Sequence, residues 1–277
     1  MNTPLPHSPP DIPLGKDVPL FGIGQVLNLA LREDRVLAAY QPIIDLKTGA
    51  IVAEEALARI VSPNRSIIPA SAFLGVAHEL ALTPLLDRTI MLQTFARCAA
   101  APLQDPPRAY FLNISTSLLR ETNMMAELLH AANRNGAPDT EHTAAGKPFV
   151  IQLTSRELRD HPQETQRSLA PFLDFGMRLA LDDFGSGGSS YKYLASLPFS
   201  FLKIEGDLIR RIAEARVRTI VQGIQQIASG LGLVTLAEHI ESEEIADQVR
   251  AVGIDWGQGK YFGKPVIPSL NRSADKI

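Results

Sequence analysis

The sequence predicts an α/β fold closed as a modified (β/α)8, TIM-like barrel whose first strand runs antiparallel. Three observations lead there. Short β-branched runs alternate with longer stretches of helical spacing, the signature of a largely parallel sheet. The runs number eight, enough to close a barrel. The first two are joined only by Leu46-Lys-Thr-Gly-Ala50, too short for a parallel crossover and right for a hairpin. A length of 277 residues holds one such domain, since barrels commonly run to about 250 residues.

In chain order, the opening MNTPLPHSPPDIPLGKDVPLFG is interrupted by proline every few residues, so residues 1–21 are expected to be an extended tail. It lacks the unbroken apolar stretch of a signal peptide or membrane span, and a cytoplasmic protein is expected. Strands are expected at residues 37–45, 51–59, 109–115, 149–154, 178–183, 201–205, 234–240 and 255–262. Residues 70–100 show helical spacing in one helix or two. Residues 207–230 do so as well, with Ile209, Ile212, Val217, Ile220, Val221, Ile224 and Ile227 forming a stripe expected to pack on the barrel. Residues 135–147 are rich in Gly, Pro, Thr and Ala without periodicity, which marks a surface loop. The working domain is expected over 22–270, with a tail at 271–277.

Composition narrows the function. A hydrophobic share of 45% with 21% charged residues supplies a sizeable core and excludes disorder as the default. Lys and Arg total 27 against 30 Asp and Glu, so no basic excess exists to neutralise DNA or coat a membrane. Any nucleotide must be held by local chemistry. The single cysteine, Cys98, excludes an intrachain disulfide and a cysteine zinc cluster, and reads as a small buried hydrophobe.

Acids and amides recur where the apolar runs end, the place where a barrel gathers its loops into one face. Glu55 lies in Val52-Ala-Glu-Glu-Ala-Leu-Ala-Arg59, Asn113 ends Tyr-Phe-Leu-Asn, Asp182 and Asp183 end Leu-Ala-Leu-Asp-Asp, and Glu238 ends Thr-Leu-Ala-Glu. Each alone is more simply a cap or a turn residue; their convergence on one face is what capping does not explain. Adjacent buried acids call for a counter-charge. Hard divalent ions take such oxygens, and two of them about 3.5–4 Å apart can clamp a phosphodiester during attack by water. Lys203, ending Phe-Leu-Lys, is placed to orient that water. Gly185, Gly187 and Gly188 allow a tight turn beside the acids.

These residues resemble a known family. Tyr40-Gln-Pro-Ile-Ile-Asp-Leu-Lys-Thr-Gly followed by Glu55-Ala-Leu-Ala-Arg resembles the opening of EAL domains. Phe111-Leu-Asn-Ile-Ser resembles the asparagine strand, Leu181-Asp-Asp-Phe-Gly-Ser-Gly the DDFGTG motif, and Leu202-Lys-Ile-Glu the LKID motif. Ala237-Glu-His-Ile-Glu-Ser resembles AEGVET, and Gly257-Gln-Gly-Lys-Tyr-Phe resembles QGYYF. The resemblance spans roughly residues 22–270. It implies a barrel with an antiparallel first strand and hydrolysis of cyclic di-GMP to pGpG with two Mg²⁺ or Mn²⁺ ions.

Carried over by position, it implies Glu55, Asn113 and Asp182 as ligands of one metal, and Asp182, Asp183 and Glu238 as ligands of the other. Lys203 would hold the nucleophilic water, with Glu55, Asp183 and Glu238 completing the catalytic set. Gln41, Leu57, Arg59 and Gln258 would line the nucleotide pocket, where an arginine fork suits phosphate oxygens. Glu241 would have a supporting role. A homodimer through the face near the DDFG loop, or a signalling partner protein, is also implied.

One motif departs. Where the family carries ELTE, this chain reads Gln152-Leu-Thr-Ser155. Gln152 keeps a carbonyl oxygen but removes a negative charge from the metal site, so metal affinity is expected to fall. Ser155 cannot pair as a glutamate does, and Glu157 is two residues away. Smaller departures are Glu205 in LKID, Gly188 after the DDFGTG glycine, and His239 for glycine, read as a local packing change. Three readings stay open: a cyclic di-GMP receptor with impaired or absent hydrolysis, an active phosphodiesterase in which Gln152 is a neutral ligand, and a nucleotide-independent scaffold.

Overall fold

The computed structural model describes residues 20–100, 108–135, 148–154, 158, 162–186 and 190–268. Most of the expected tails, residues 136–147 of the expected loop, and Ser155, Arg156, Glu157, Gly187 and Gly188 lie outside them. Helix α1 (Leu20–Arg32) leads into strand β1 (Val36–Asp45), which pairs antiparallel with β2 (Ile51–Val61) from Val36↔Ile60 to Ile44↔Ile51. This is the expected hairpin; the backbone turns at Gly49, where φ is 74°. A short antiparallel strand, β3 (Ile67–Pro69), lies along the end of β2 and was not expected from the sequence.

The ladder continues in parallel through β4 (Ala109–Asn113), β5 (Phe149–Thr154), β6 (Arg178–Phe184), β7 (Phe199–Ile204) and β8 (Val234–Ala237) to β9 (Trp256–Gly257). β9 pairs antiparallel with β1 and closes the ring. The last two strands are shorter than expected, and the cause is local. His239 takes a left-handed φ of 56° just after β8. Beyond β9 the chain turns, and Gln258 N–H bonds the Ala237 carbonyl while Ile240 N–H bonds the Gln258 carbonyl, outside the regular ladder.

Helices follow α2 (Leu74–Glu79), α3 (Thr83–Ala100), α4 (Thr116–Leu119), α5 (Thr122–Asn135), α6 (Pro162–Asp174), α7 (Ser190–Leu194), α8 (Gly206–Arg210), α9 (Ala215–Gly230) and α10 (Glu243–Val252). Residues 70–100 thus form two helices after a 3-10 turn at Ala70–Ala72. The single helix expected over 207–230 is instead α8 and α9, separated by a turn in which Arg211 N–H bonds Asp207 O and Glu214 N–H bonds Arg211 O. The stripe is only partly buried. Ile209, Ile212, Val217, Val221 and Ile224 are buried, but Ile220 and Ile227 are exposed. At α10, Ser242 Oγ accepts from Ile245 N–H, acids fill the first turn, and Gly253 ends the helix with φ 88°.

Two cores result. Side chains facing out of the barrel pack beneath the helices, and a smaller cluster including Ile43, Phe111, Val150, Phe201 and Leu236 fills the barrel interior. Phe111 meets Phe201 edge to face at 5.1 Å. Cys98 is free and only half-buried, packed against the outer core rather than within it. Among the described residues no helix is long and apolar enough to cross a membrane.

Gly259 tests the closing turn. A Cβ there would lie 2.0 Å from the Ile240 carbonyl oxygen, a backbone atom that cannot step aside. Gly259→Ala is expected to cost about 3 kcal/mol or more, read as a fall in the thermal unfolding midpoint.

Candidate functional site

Strand alternation decides which acid enters the barrel mouth. Glu54 faces outward to Arg97 at 3.0 Å and Arg108 at 3.8 Å. Its neighbour Glu55 is buried and faces inward. Glu55 sits opposite Gln41 on β1, Asn113 pairs with Gln152 across β4 and β5, and Thr154 with Asp182 across β5 and β6. Register alone therefore gathers these residues at one end.

The centre is the fully buried Lys203 ammonium. Its Nζ lies 2.9 Å from Glu238 Oε1, 3.1 Å from Glu55 Oε1 and 3.3 Å from Asp182 Oδ2. It also donates to Gln152 Oε1 at 3.1 Å. The other end of that amide, Gln152 Nε2, donates to Glu55 Oε1 at 2.5 Å. Glu55 Oε2 accepts from Gln258 Nε2 at 2.6 Å, and Gln258 Nε2 also lies 3.2 Å from Gln41 Oε1. Gln41 is held in turn by donating to the Gly263 carbonyl at 2.9 Å.

The electrostatics follow from burial and this one cation. Burial works to raise the Glu55 carboxyl, but Lys203 and the bonds from Gln152 and Gln258 hold it below the ordinary glutamate range. Burial pushes Glu238 up to about 8, with Lys203 opposing and Asp182 and Glu55 adding to the rise. Burial also raises Asp182 against the pull of Lys203. Burial disfavours the Lys203 ammonium, yet Asp182, Glu238 and Glu55 together keep it well above its ordinary value.

Of the residues expected from the sequence, Gln41, Glu55, Gln152, Asp182, Lys203, Glu238 and Gln258 form one bonded cluster. Asn113 ends β4 with its side chain exposed. Asp183 takes a left-handed φ of 54°, and its N–H bonds Asp182 Oδ1 at 2.8 Å. Among the described residues no hydrogen bond joins the side chain of Asn113 or Asp183 to the cluster. Leu57 and Arg59 follow Glu55 on the same face of β2; Arg59 donates to the Ala58 carbonyl at 2.8 Å. Glu241 stands outside the cluster, paired with Lys260 at 3.1 Å.

Sequence reading missed Asp87. This buried acid of α3 accepts from Ser115 N–H at 2.8 Å, fixing the turn two residues beyond Asn113. Its only sequence signal was an acid inside the apolar run Leu85-Leu-Asp.

The EAL domain family matches residues 25–265 of this chain. The chain belongs to the EAL family. Protein y4lL of Sinorhizobium fredii, itself uncharacterised, is 30% identical over 244 residues, covering 88% of this chain and 28% of its own. Cyclic di-GMP phosphodiesterase PdeB of Shewanella oneidensis is 27% identical over 238 residues, covering 85% and 27% respectively. This EAL chain thus spans under a third of the length of either relative.

Among solved structures, the EAL enzyme Bd1971 in its cAMP- and cyclic-di-GMP-bound form aligns with a TM-score of 0.80 at 23% identity, over 93% of this chain and 69% of that one. The PaMucR phosphodiesterase in its c-di-GMP complex aligns with a TM-score of 0.78 at 22% identity, over 90% and 99%. At these identities the structural likeness speaks to the EAL fold alone.

Within this EAL barrel, Glu55, Asp182 and Glu238 bring carboxylate oxygens within 4.8 Å of one another. An all-oxygen set of that kind suits a hard divalent cation.

Two outcomes are expected. Lys203→Met leaves three buried carboxylates without their counter-charge and should cost about 3–5 kcal/mol in chelator, with Mg²⁺ restoring part of the loss in a thermal melt. Glu238 governs pH dependence. Its folded value of about 8 lies above its ordinary 4.5, so its contribution is whole below that lower value and is lost as pH rises toward the upper one. In chelator the thermal midpoint should fall as pH rises from about 5 to about 8 by the equivalent of roughly a few kcal/mol, and Glu238→Gln should flatten that slope.

Proposed function

We propose that this EAL domain is a cyclic di-GMP receptor or regulator in which hydrolysis is impaired or absent. The observation that carries the reading is the Gln152 amide, which donates to Glu55 and accepts from Lys203. A glutamate at 152 could not donate to Glu55; the two carboxylates would repel unless a cation lay between them. The glutamine closes that contact with its own N–H, so the Glu55 side of the mouth is bonded with less demand for metal.

The ligand assignment is supported by the relatives, one of which is named a cyclic di-GMP phosphodiesterase, and by the c-di-GMP in the titles of the aligned structures. Gln41, Leu57, Arg59 and Gln258 line the nucleotide pocket, with the Arg59 guanidinium on a phosphate. Gln258 Oε1 is buried and has no hydrogen-bond partner among the described residues, consistent with a donor arriving with the ligand. Mg²⁺ or Mn²⁺, where bound, would be held by Glu55, Asn113, Asp182, Asp183 and Glu238, weakly because Gln152 is neutral. Bound metal would supply positive charge to the phosphodiester.

The receptor is taken to be cytoplasmic, with 22–270 as the working domain and 1–21 and 271–277 as flanks. A second copy or a signalling partner protein would read the bound state. One observation favours the alternative, an active phosphodiesterase: three carboxylates still converge beside Lys203.

Titration calorimetry with cyclic di-GMP in Mg²⁺, Mn²⁺ and chelator separates the two, with pGpG followed by chromatography. Binding is expected in all three conditions without turnover, and Arg59→Ala should weaken it by about tenfold or more. Gln152→Glu should make stability and binding depend on the divalent ion. Wild-type turnover abolished by Glu55→Ala would establish the enzyme instead, and absence of binding everywhere would remove both readings.

A further inference from the structure

Each of two acids that touch Lys203 is followed by a residue with left-handed backbone. Asp183 follows Asp182 with φ 54°, and His239 follows Glu238 with φ 56°. Neither is glycine, to which that conformation comes freely. Such outliers persist where the surroundings hold them in place.

The segment directly after Lys203 meets both turns. On one side Glu205 N–H donates to the Phe184 carbonyl at 3.1 Å, and a Cβ on Gly185 would lie 2.6 Å from Leu208 Cδ1. On the other, a Cβ on Gly206 would lie 2.0 Å from His239 Cδ2, 2.7 Å from Cγ and 3.0 Å from Nε2. The imidazole therefore rests on the bare Gly206 backbone, and its Nδ1 side turns away. Gly206 is buried, although His239 is exposed. One short stretch, 205–208, thus touches the turns after β6 and β8 and follows the lysine that both acids pair with.

Glu238 depends on its backbone more than the other acids do. Glu55 is also bonded by Gln152 and Gln258, and Asp182 accepts from the Asp183 N–H. Among the described residues Glu238 has Lys203 as its one side-chain partner.

We propose that His239 is a positioning residue: its ring, seated on Gly206, fixes the left-handed turn after β8 and so aims Glu238 Oε1 at the Lys203 ammonium, 2.9 Å away. Glycine at 239 would take the same φ without strain, but it would take others as readily. The ring exchanges that freedom for one geometry. That the aimed carboxylate also serves a divalent cation rests on the reading of Glu55, Asp182 and Glu238 as an ion site.

NMR on the full chain with isotope-labelled lysine reads the aim directly, in chelator. The Lys203 ammonium is expected as a protected signal, identified by its loss in Lys203→Met. His239→Gly and Gly206→Ala should each speed exchange of its protons with water several-fold. Both act on one contact, so Gly206→Ala/His239→Gly should match His239→Gly rather than add to it. His239→Phe keeps a ring without the nitrogens and should restore protection. Thermal melts over a Mn²⁺ series read the ion, and His239→Gly should need about tenfold more Mn²⁺ for half of the rise in midpoint.

Unchanged exchange in His239→Gly, additive effects in the double variant, or a His239→Phe as damaged as His239→Gly would each overturn the proposal. So would a lower melt for His239→Gly with exchange and Mn²⁺ requirement unaltered, since that is a role in stability alone. A wild-type chain whose melt ignores Mn²⁺ would remove the ion-site reading, and the ammonium signal would still decide the role of His239.

Discussion

One buried ammonium organises the working end of this barrel. Lys203 rises from β7 into a space ringed by Glu55 of β2, Asp182 of β6 and Glu238 at the end of β8. Burying any one of these carboxylates alone would be prohibitive, and burying the lysine alone equally so. Together they are tolerated, and the tolerance depends on angstrom-level placement by four separate strands. Gln152 joins the ring from β5 as a neutral member, bonding both signs of charge at once. The mouth is therefore a tied knot rather than an open cluster of acids.

Much of the fold was legible because it is written in short-range pattern. Eight strands could be found by alternation and β-branching, and the five-residue link after Asp45 dictated a hairpin. What the pattern could not show was where long-range contact overrides it. The strand after Val234 looked longer than β8 is, since nothing in Glu-His-Ile announces that His239 must take a left-handed turn. The continuous helical period from 207 to 230 hid the turn between α8 and α9. β3 was invisible because three residues carry no period.

The site was legible by a different route: polar residues at strand ends, ordered as in a family of known motifs. That route located every member of the bonded cluster, including the departure at Gln152, but not the direction of its amide or the shared contact with Glu55. Asp87 escaped because the backbone N–H it accepts from, that of Ser115, lies on another element. The packing change expected at His239 has a visible counterpart: a Cβ on Gly206 would lie 2.0 Å from the His239 ring. The ring occupies room that exists only because position 206 lacks a side chain, so the two residues must be considered together.

The closure of the barrel has its own consequence. β1 and β2 are zipped along nearly their whole length, but β1 meets β9 through only Ile44↔Gly257 and Asp45↔Trp256, with an isolated bridge from Tyr40 to Val266. The seam that joins the early part of the chain to the late part is as thin as the two-pair joint of β8 with β9 beside it, and local opening is drawn from such thinly bonded regions. Gln41 and Gln258 touch across that same seam. The staves of this barrel are thus fastened at a thin join by the side chains that face the mouth, and whatever grips both glutamines also tightens the hoop.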